Sequence, residues 1–232
     1  MIKCAVITAG GEGRRMRESG SDVPKPLVKV KEKPLINYMI DALVDNNIDE
    51  IIVIEPYFYS LKKELKQLYP NVKFQFYKPR KKQILLKNLL NIKKLINGDF
   101  ILADSDIIIN NLTIKEFINN YHSMNSFASI AAVKNPHFEN NHYLEINNNI
   151  IKSFNKNGIE NGIHGCFIYS FNKEIFKYLK IYEKQNESSF SKFINFLIKN
   201  ELVTANYIND VWDVDDYLDK EKTEQLLSKI NF

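Results

Sequence analysis

The first thirty residues carry the densest concentration of chemistry in the chain. Ala9-Gly10-Gly11-Glu12-Gly13-Arg14-Arg15-Met16 follows the apolar run Cys4-Ala5-Val6-Ile7, and Pro24-Lys25-Pro26-Leu27 comes soon after. A glycine-rich turn leaving a buried strand lets main-chain N–H groups approach a ligand closely. An arginine beside it adds a forked donor and a lysine adds a compact point charge. Together these residues suit a bound phosphate. A surface turn with incidental basic residues is the plainer explanation, and Pro-Lys-Pro at this distance argues against it. A P-loop needs Gly-x-x-x-x-Gly-Lys-Ser/Thr, which is absent. A dinucleotide loop fails too: counted from Gly11 its third glycine is Met16, and Glu55 stands too far on to hold a ribose.

Two acidic clusters provide the complementary chemistry. Ile101-Leu102-Ala103-Asp104-Ser105-Asp106 places two carboxylates at the carboxyl end of an apolar strand, the edge of a parallel sheet where ligands bind. On an extended backbone Asp-x-Asp puts both side chains on one side. Hard carboxylate oxygens there suit Mg²⁺, which keeps waters and bridges substrate phosphates. Val211-Trp212-Asp213-Val214-Asp215-Asp216 then opens the last helix. Asp215 or Asp216 also makes a good N-cap for that helix, and one residue can serve both ends.

Alternating strand and helix patterns position these groups. Ile2–Thr8 reads as a buried strand and Leu35–Val44 as a helix, followed by a strand at Ile51–Ile54 and a helix at Ser60–Tyr69. Val72–Tyr77 alternates as a strand, Ile84–Ile96 is helical and Phe100–Ala103 is strand-like. Successive β-α-β units imply an α/β protein with a three-layer α/β/α arrangement. Beyond about Asn110 the pattern changes. Thr113–Tyr121 is helical with Thr113 and Glu116 as a capping box, and Ser129–Val133 is a strand. Tyr143–Ile146 and Ile150–Phe154 flank a hairpin turn at Asn147-Asn148-Asn149, and Cys166–Tyr169 is a further strand. Helices follow at Lys173–Leu179, Phe190–Ile198 and from Tyr217 onward. The second half reads as additions to one sheet, giving one domain over 1–232.

Composition narrows the class of partner. A net charge of +4 with acidic residues throughout is unlike a nucleic-acid binder and fits a local site for a small anion. Two isolated cysteines form neither a disulfide framework nor a metal-ligand spacing, which points to the reducing cytoplasm. The first apolar run stops at Gly10, short of a secretory signal, and no stretch approaches a membrane span.

Gly10-Gly11-Glu12-Gly13-Arg14-Arg15-Met16 with Pro24-Lys25-Pro26-Leu27 resembles the amino-terminal motif of the sugar-1-phosphate nucleotidyltransferases, Gly-Gly-x-Gly-Thr-Arg-Leu followed by Pro-Lys-Pro. The resemblance implies a single Rossmann-like, GT-A-like domain with a mixed, mostly parallel central sheet. Its nucleotide-binding half would span about 1–110 and its acceptor-binding half about 111–232. It further implies transfer of a nucleoside monophosphate from an NTP to a phosphorylated small molecule, such as a sugar 1-phosphate, with pyrophosphate released. Ala9, Gly10, Gly11, Glu12, Gly13, Arg14, Arg15 and Lys25 would contact the nucleotide, with Arg15 on the β- and γ-phosphates and Lys25 on the reacting phosphate. Arg14 stands where the family usually has Thr.

Mg²⁺ is the implied cofactor, held by Asp106 in preference to Asp104 and by Asp215 in preference to Asp213. Tyr143-Leu144-Glu145 resembles a Tyr-Gly-x-x-Glu strand, Lys156 matches the lysine of a Glu-Lys-Pro, and His164-Gly165 opens a strand similar to Ala-Gly-Ile-Tyr-Leu-Phe. Glu145, Lys156, His164 and Gly165 are therefore the implied acceptor contacts. No general base is required, since an acceptor phosphate is already ionised. A base-reading Gly-Thr-Ala segment is missing where Lys78-Pro79-Arg80-Lys81-Lys82-Gln83 stands, so the base stays open.

The implied partners are an NTP and a phosphorylated acceptor, without nucleic acid or membrane, in a cytoplasmic monomer or homodimer supplying bacterial cell-surface polysaccharide precursors. At 232 residues there is no room for an appended left-handed β-helix, which separates the chain from bifunctional acetyltransferase–uridylyltransferases. A CTP:phosphocholine-type cytidylyltransferase is the alternative within this chemistry. A GT-A glycosyltransferase shares the sheet and the Asp-x-Asp but has no use for the glycine loop with Pro-Lys-Pro.

Overall fold

The structure is a computed structural model and describes residues 2–134, 142–155, 162–185 and 187–228. Strand β1 (Cys4–Thr8) leads through the glycine loop into the short helix α1 (Arg14–Glu18). A ribbon of β2 (Lys29–Val30) and β3 (Lys33–Pro34) precedes α2 (Leu35–Val44). Next come β4 (Glu50–Ile54), α3 (Lys62–Leu68), β5 (Lys73–Tyr77), α4 (Leu85–Ile92), β6 (Phe100–Asp104), β7 (Ile107–Ile109) and α5 (Asn111–Ser123). After β8 (Ala128–Lys134), the chain forms β9 (Tyr143–Asn147), β10 (Ile150–Asn155) and β11 (Ile163–Phe171). It ends with α6 (Ile175–Glu183), α7 (Phe190–Ile198), β12 (Val203–Tyr207), β13 (Val211–Asp213) and α8 (Tyr217–Leu227).

Nine of these strands form one sheet in the order β5-β4-β1-β6-β11-β8-β12-β10-β9. The first-half strands β5, β4, β1 and β6 run parallel, as their helical crossovers require. The second half extends the same sheet: β11 is antiparallel to β6 and β8, β12 is parallel to β8, and the β9–β10 hairpin closes the edge. Register aligns Thr8 with Ile54 on one side and with Asp104 on the other, so the glycine loop and the first aspartate leave the sheet at the same edge.

Strand alternation divides the interior into two cores. Ala5, Ile7, Ile51, Val53, Ile101 and Ala103 pack with α2 and α5 on one face. Val6, Ile52, Ile54, Phe100 and Leu102 pack with α4, α6 and α7 on the other. A third, smaller core joins Met16 of α1, Val28, Val30, Leu35, Tyr38, Ile108 of β7, Trp212 of β13, Val214 and Leu227 of α8. No helix among the described residues is long and apolar enough to cross a membrane.

Several elements depart from the periodicity reading, each for a local reason. Helix α3 starts at Lys62 because buried Glu55 accepts from Leu61 N–H at 2.7 Å and from the Ser60 hydroxyl at 2.9 Å, holding those residues out of the helix. The Ile84–Ile96 stretch divides into α4 and a 3₁₀ turn at Lys93–Leu95. Helix α5 is capped by Asn110, whose side chain accepts from Thr113 N–H at 2.8 Å, so Thr113 lies inside the helix and the Thr113–Glu116 box is not its cap. In the β9–β10 hairpin, Asn148 and Asn149 take φ of 49° and 61°, the left-handed pair of a two-residue turn that asparagine tolerates.

Candidate active site

The glycine loop is fixed at both ends. Ala9 is buried, and its N–H donates to Ile54 O at 2.9 Å. Gly13 has φ of 56°, and a Cβ built there would lie 3.0 Å from Lys25 Cβ. Glycine is needed at this point for conformation and for space. The Gly13 carbonyl accepts from Arg17 N–H, and α1 then buries Met16 in the third core. Arg15 leaves the opposite side of α1 with its guanidinium 2.5 Å from Asp215 Oδ2.

Lys25 opens a single 3₁₀ turn, with Pro24 before it and Pro26 after it restricting the backbone. Its side chain is only 10% exposed, and its Nζ donates to Asp106 Oδ2 and, at 2.6 Å, to Asp215 Oδ1. Burial alone would lower the Lys25 pKa. The carboxylates of Asp106, Asp215 and Asp213 outweigh it and hold the ammonium above the ordinary lysine value.

The two halves of Asp104-Ser105-Asp106 part company. The chain turns at Ser105, whose N–H donates to Thr8 O at 3.1 Å, so the extended geometry expected of Asp-x-Asp ends at Asp104. Asp104 accepts from the Thr8 hydroxyl, while Asp106 faces Lys25. The three-residue strands β7 and β13 then pair antiparallel with Ile107 opposite Asp213, and Val214 N–H donates to Asp106 O at 3.2 Å. Asp216 caps α8 by accepting from Asp219 N–H at 3.0 Å, which leaves the Asp215 carboxylate to Lys25 and Arg15.

Asp106, Asp213 and Asp215 each offer an oxygen within 4.8 Å of the others. Of the four candidate metal aspartates, the structure gathers these three and sets Asp104 apart on Thr8. Asp213 Oδ1 is buried and has no hydrogen-bond partner, a costly state for a carboxylate oxygen that a cation would relieve. Hard oxygen donors with one orphaned atom fit a magnesium ion. Burial, then repulsion from Asp106 and Asp215, pushes the Asp213 pKa well up. Burial followed by Asp106 does the same to Asp104. For Asp215 burial works upward, but Lys25 and Arg15 win and hold it below the usual carboxylate value.

Beside this cluster lies a cavity of about 630 Å³. Gly10, Gly11 and Glu12 line one wall, Pro79, Lys82 and Gln83 another, and Thr8 and Asp104 lie at the sheet edge. Lys82 reaches Glu12 at 3.2 Å across the mouth. From sequence, the Lys78–Gln83 run reads equally well as a solvated loop, because nothing in a charge run says which way the loop folds. Phe167 and Tyr169, from the strand that carries His164-Gly165, form an aromatic wall with Phe190, which escaped the sequence reading because it looks like the start of an ordinary helix.

The acceptor candidates are more dispersed. Glu145 is exposed on β9 and accepts from the Ser153 hydroxyl at 3.0 Å. The His164 ring packs 4.7 Å from the Tyr143 ring. Gly165 is required by packing, since a Cβ there would meet the Phe154 ring at 2.9 Å. None of the three lines the cavity, whereas His142 does. Lys156 lies outside the described residues.

Comparison with known proteins gives the family. The bifunctional protein GlmU of Methanocaldococcus jannaschii is 28% identical over 239 residues, covering 98% of this chain and 55% of that protein. The chain thus spans about half the length of this GlmU and of those from Methanococcus maripaludis and Methanococcus vannielii. The D-glycero-alpha-D-manno-heptose 1-phosphate guanylyltransferase of Campylobacter jejuni is 26% identical over 226 residues, covering 92% of this chain and 96% of that one. Among solved structures, the inositol-1-phosphate CTP transferase from T. maritima superposes with a TM-score of 0.83 at 16% identity, over 98% of this chain and 96% of that one, a likeness of fold. The family model for nucleotidyl transferases matches residues 4–225, and the chain belongs to that family.

Proposed function

We propose that this chain transfers a nucleoside monophosphate from an NTP to a phosphorylated small molecule, releasing pyrophosphate. The observation that carries the reading is Lys25, buried between Asp106 and Asp215 and packed against Gly13 of the glycine loop. A lysine in that position can sit on a phosphate at the reacting centre while the loop's N–H groups and Arg15 hold the rest of the triphosphate. The acceptor's ionised phosphate oxygen attacks the α-phosphorus in line, and the bond to pyrophosphate breaks. Positioning and electrostatics are what such a transfer needs, and Lys25, Arg15 and the aspartates supply charge for both. Asp106, Asp215 and Asp213 are the residues to hold magnesium, which would neutralise phosphate charge when bound.

In this reading residues up to about 110 bind nucleotide and the remainder the acceptor, with Glu145, Lys156, His164 and Gly165 as its candidate contacts. Cys4 and Cys166, both buried and free, support a cytoplasmic setting, and sugar 1-phosphates for surface polysaccharide precursors are the favoured acceptors. The aromatic wall of Phe167, Tyr169 and Phe190 favours a second acceptor for the same reaction, phosphocholine, because aromatic faces attract a quaternary ammonium.

The test is pyrophosphate release with each NTP, Mg²⁺ and a panel of acceptors that includes phosphocholine. One pair should turn over, and Lys25→Ala should abolish it while the fold persists. Absence of pyrophosphate from every pair would overturn the reading.

A further inference from the structure

The two side chains suited to grip phosphate are bonded to the carboxylates suited to hold metal. Lys25 Nζ sits on Asp106 Oδ2 and on Asp215 Oδ1, and Arg15 Nη2 sits on Asp215 Oδ2. Both oxygens of Asp215 and one of Asp106 are therefore taken by cations of the chain itself. Lys25 is nearly enclosed, so it acts as the resident counter-ion of the acidic cluster. Arg15 is 62% exposed and makes the weaker, outer contact.

Resting on the nucleotidyltransferase reading above, we propose that Lys25 and Arg15 occupy the metal site as built-in counter-ions. The chain would then take its divalent cation only as the complex with the triphosphate. A free divalent ion reaching the cluster has to displace cations whose ion-pair partners among the described residues are these same carboxylates. Lys25 would be left as a buried, unpaired charge, which is heavily penalised. A metal–triphosphate complex removes that obstacle, because its phosphate oxygens offer new partners as the old ones are lost. Each carboxylate exchanges an ammonium or guanidinium for the metal, and each side-chain cation exchanges a carboxylate for a phosphate. Ion pairs are conserved through the exchange.

The geometry links the two events. Gly13 places the phosphate-binding loop against Lys25 Cβ, with only 3.0 Å left for a further carbon. A flexible four-carbon stem lets the Lys25 ammonium change partners while its proline-flanked backbone stays in place. Asp213 Oδ1, buried without a partner, is an oxygen of the cluster that no side-chain cation among the described residues holds. It is too little to hold a free ion by itself, since hard divalent cations need several oxygen ligands.

Mn²⁺ binding followed by electron paramagnetic resonance, without nucleotide, tests the proposal on wild type, Lys25→Met and Arg15→Gln. Wild type should bind free Mn²⁺ poorly. Lys25→Met should tighten binding by about tenfold or more, a conservative share of the repulsion between close like charges in a poorly solvated site, and Arg15→Gln by about threefold, the smaller effect of an exposed charge. Asp106→Asn in the Lys25→Met background should erase the gain. Equal Mn²⁺ affinity in wild type and the folded variants, or tight binding by wild type alone, overturns the proposal. If Lys25→Met does not fold, as judged by circular dichroism, the exposed Arg15→Gln decides alone. Failure of the catalytic reading would appear elsewhere, as no pyrophosphate from any NTP, and would leave the Mn²⁺ comparison standing.

Discussion

Replacing Gly13 by alanine separates the loop's structural demand from its chemical one. The residue sits at φ of 56°, and the added methyl would lie 3.0 Å from Lys25 Cβ. A left-handed backbone costs an L-residue roughly 1–2 kcal/mol. The methyl contact also forces Lys25 to yield by a few tenths of an ångström, so a total near 2 kcal/mol is expected. For a domain of this size that lowers the thermal midpoint by about 4–8 °C. Because the atom pushed is the root of the lysine, kcat should fall by about tenfold, within the range that small misplacements produce. Gly11→Ala is the control, since a Cβ there meets nothing within 4 Å and its φ is not left-handed. Its midpoint should stay within about 2 °C of wild type, while NTP binding weakens because Gly11 lines the cavity. Differential scanning calorimetry and steady-state kinetics on both variants measure each quantity. A Gly13→Ala protein with wild-type stability and kcat would refute the packing argument.

Two further predictions concern neighbouring aspartates and alkaline stability. Asp216→Ala removes the α8 cap and should cost about 1 kcal/mol by urea denaturation with kcat kept, whereas Asp215→Asn should abolish pyrophosphate release with little change in fold. Burial, with a smaller push from Glu50, raises the Cys4 thiol from 9.0 to about 12. Burial, aided by Glu224 and Asp41, raises Tyr38 from 10.0 to about 12. In both cases the folded state holds the proton longer than the unfolded state. Their contribution is complete below pH 9 and is lost between pH 9 and 12, each group removing roughly 1.4 kcal/mol per pH unit once past its unfolded pKa. Urea midpoints measured from pH 8 to 11 should fall accordingly, and Cys4→Ala should flatten the first part of that fall. A curve of unchanged slope would show that the Cys4 thiol is not responsible.

The elements that sequence reading placed well are those whose apolar spacing matches a single face. Leu35–Val44 and Phe190–Ile198 appear with the expected bounds, because Pro34 and the Ser189 cap mark their starts. What stayed illegible was short or distant. β7 and β13 have three residues each, too few to show a period, and their pairing joins residues more than a hundred positions apart. That pairing brings Asp213 beside Asp106, so the three-carboxylate cluster was visible in sequence only as two separate pairs. The turn at Ser105 was likewise hidden, since the continuous apolar run Phe100–Ala103 has no alternation to show where the extended backbone ends. Composition gave no sign that Lys25 would be paired with the aspartates. Opposite charges far apart in sequence meet only once the third core has formed.

That third core has a consequence for biosynthesis. Met16, next to Arg15, and Leu227 of α8, more than two hundred residues on, share one apolar cluster with Ile108 and Trp212. The segments presenting Arg15, Lys25, Asp106 and Asp215 are anchored in it, so none acquires its final position until α8 docks. During vectorial synthesis the parallel strands of the first half can pair early, but the phosphate loop must wait for α8, some two hundred residues later, to emerge. The site therefore assembles in one step, when α8 docks, and a nascent chain carries its glycine loop unassembled until then.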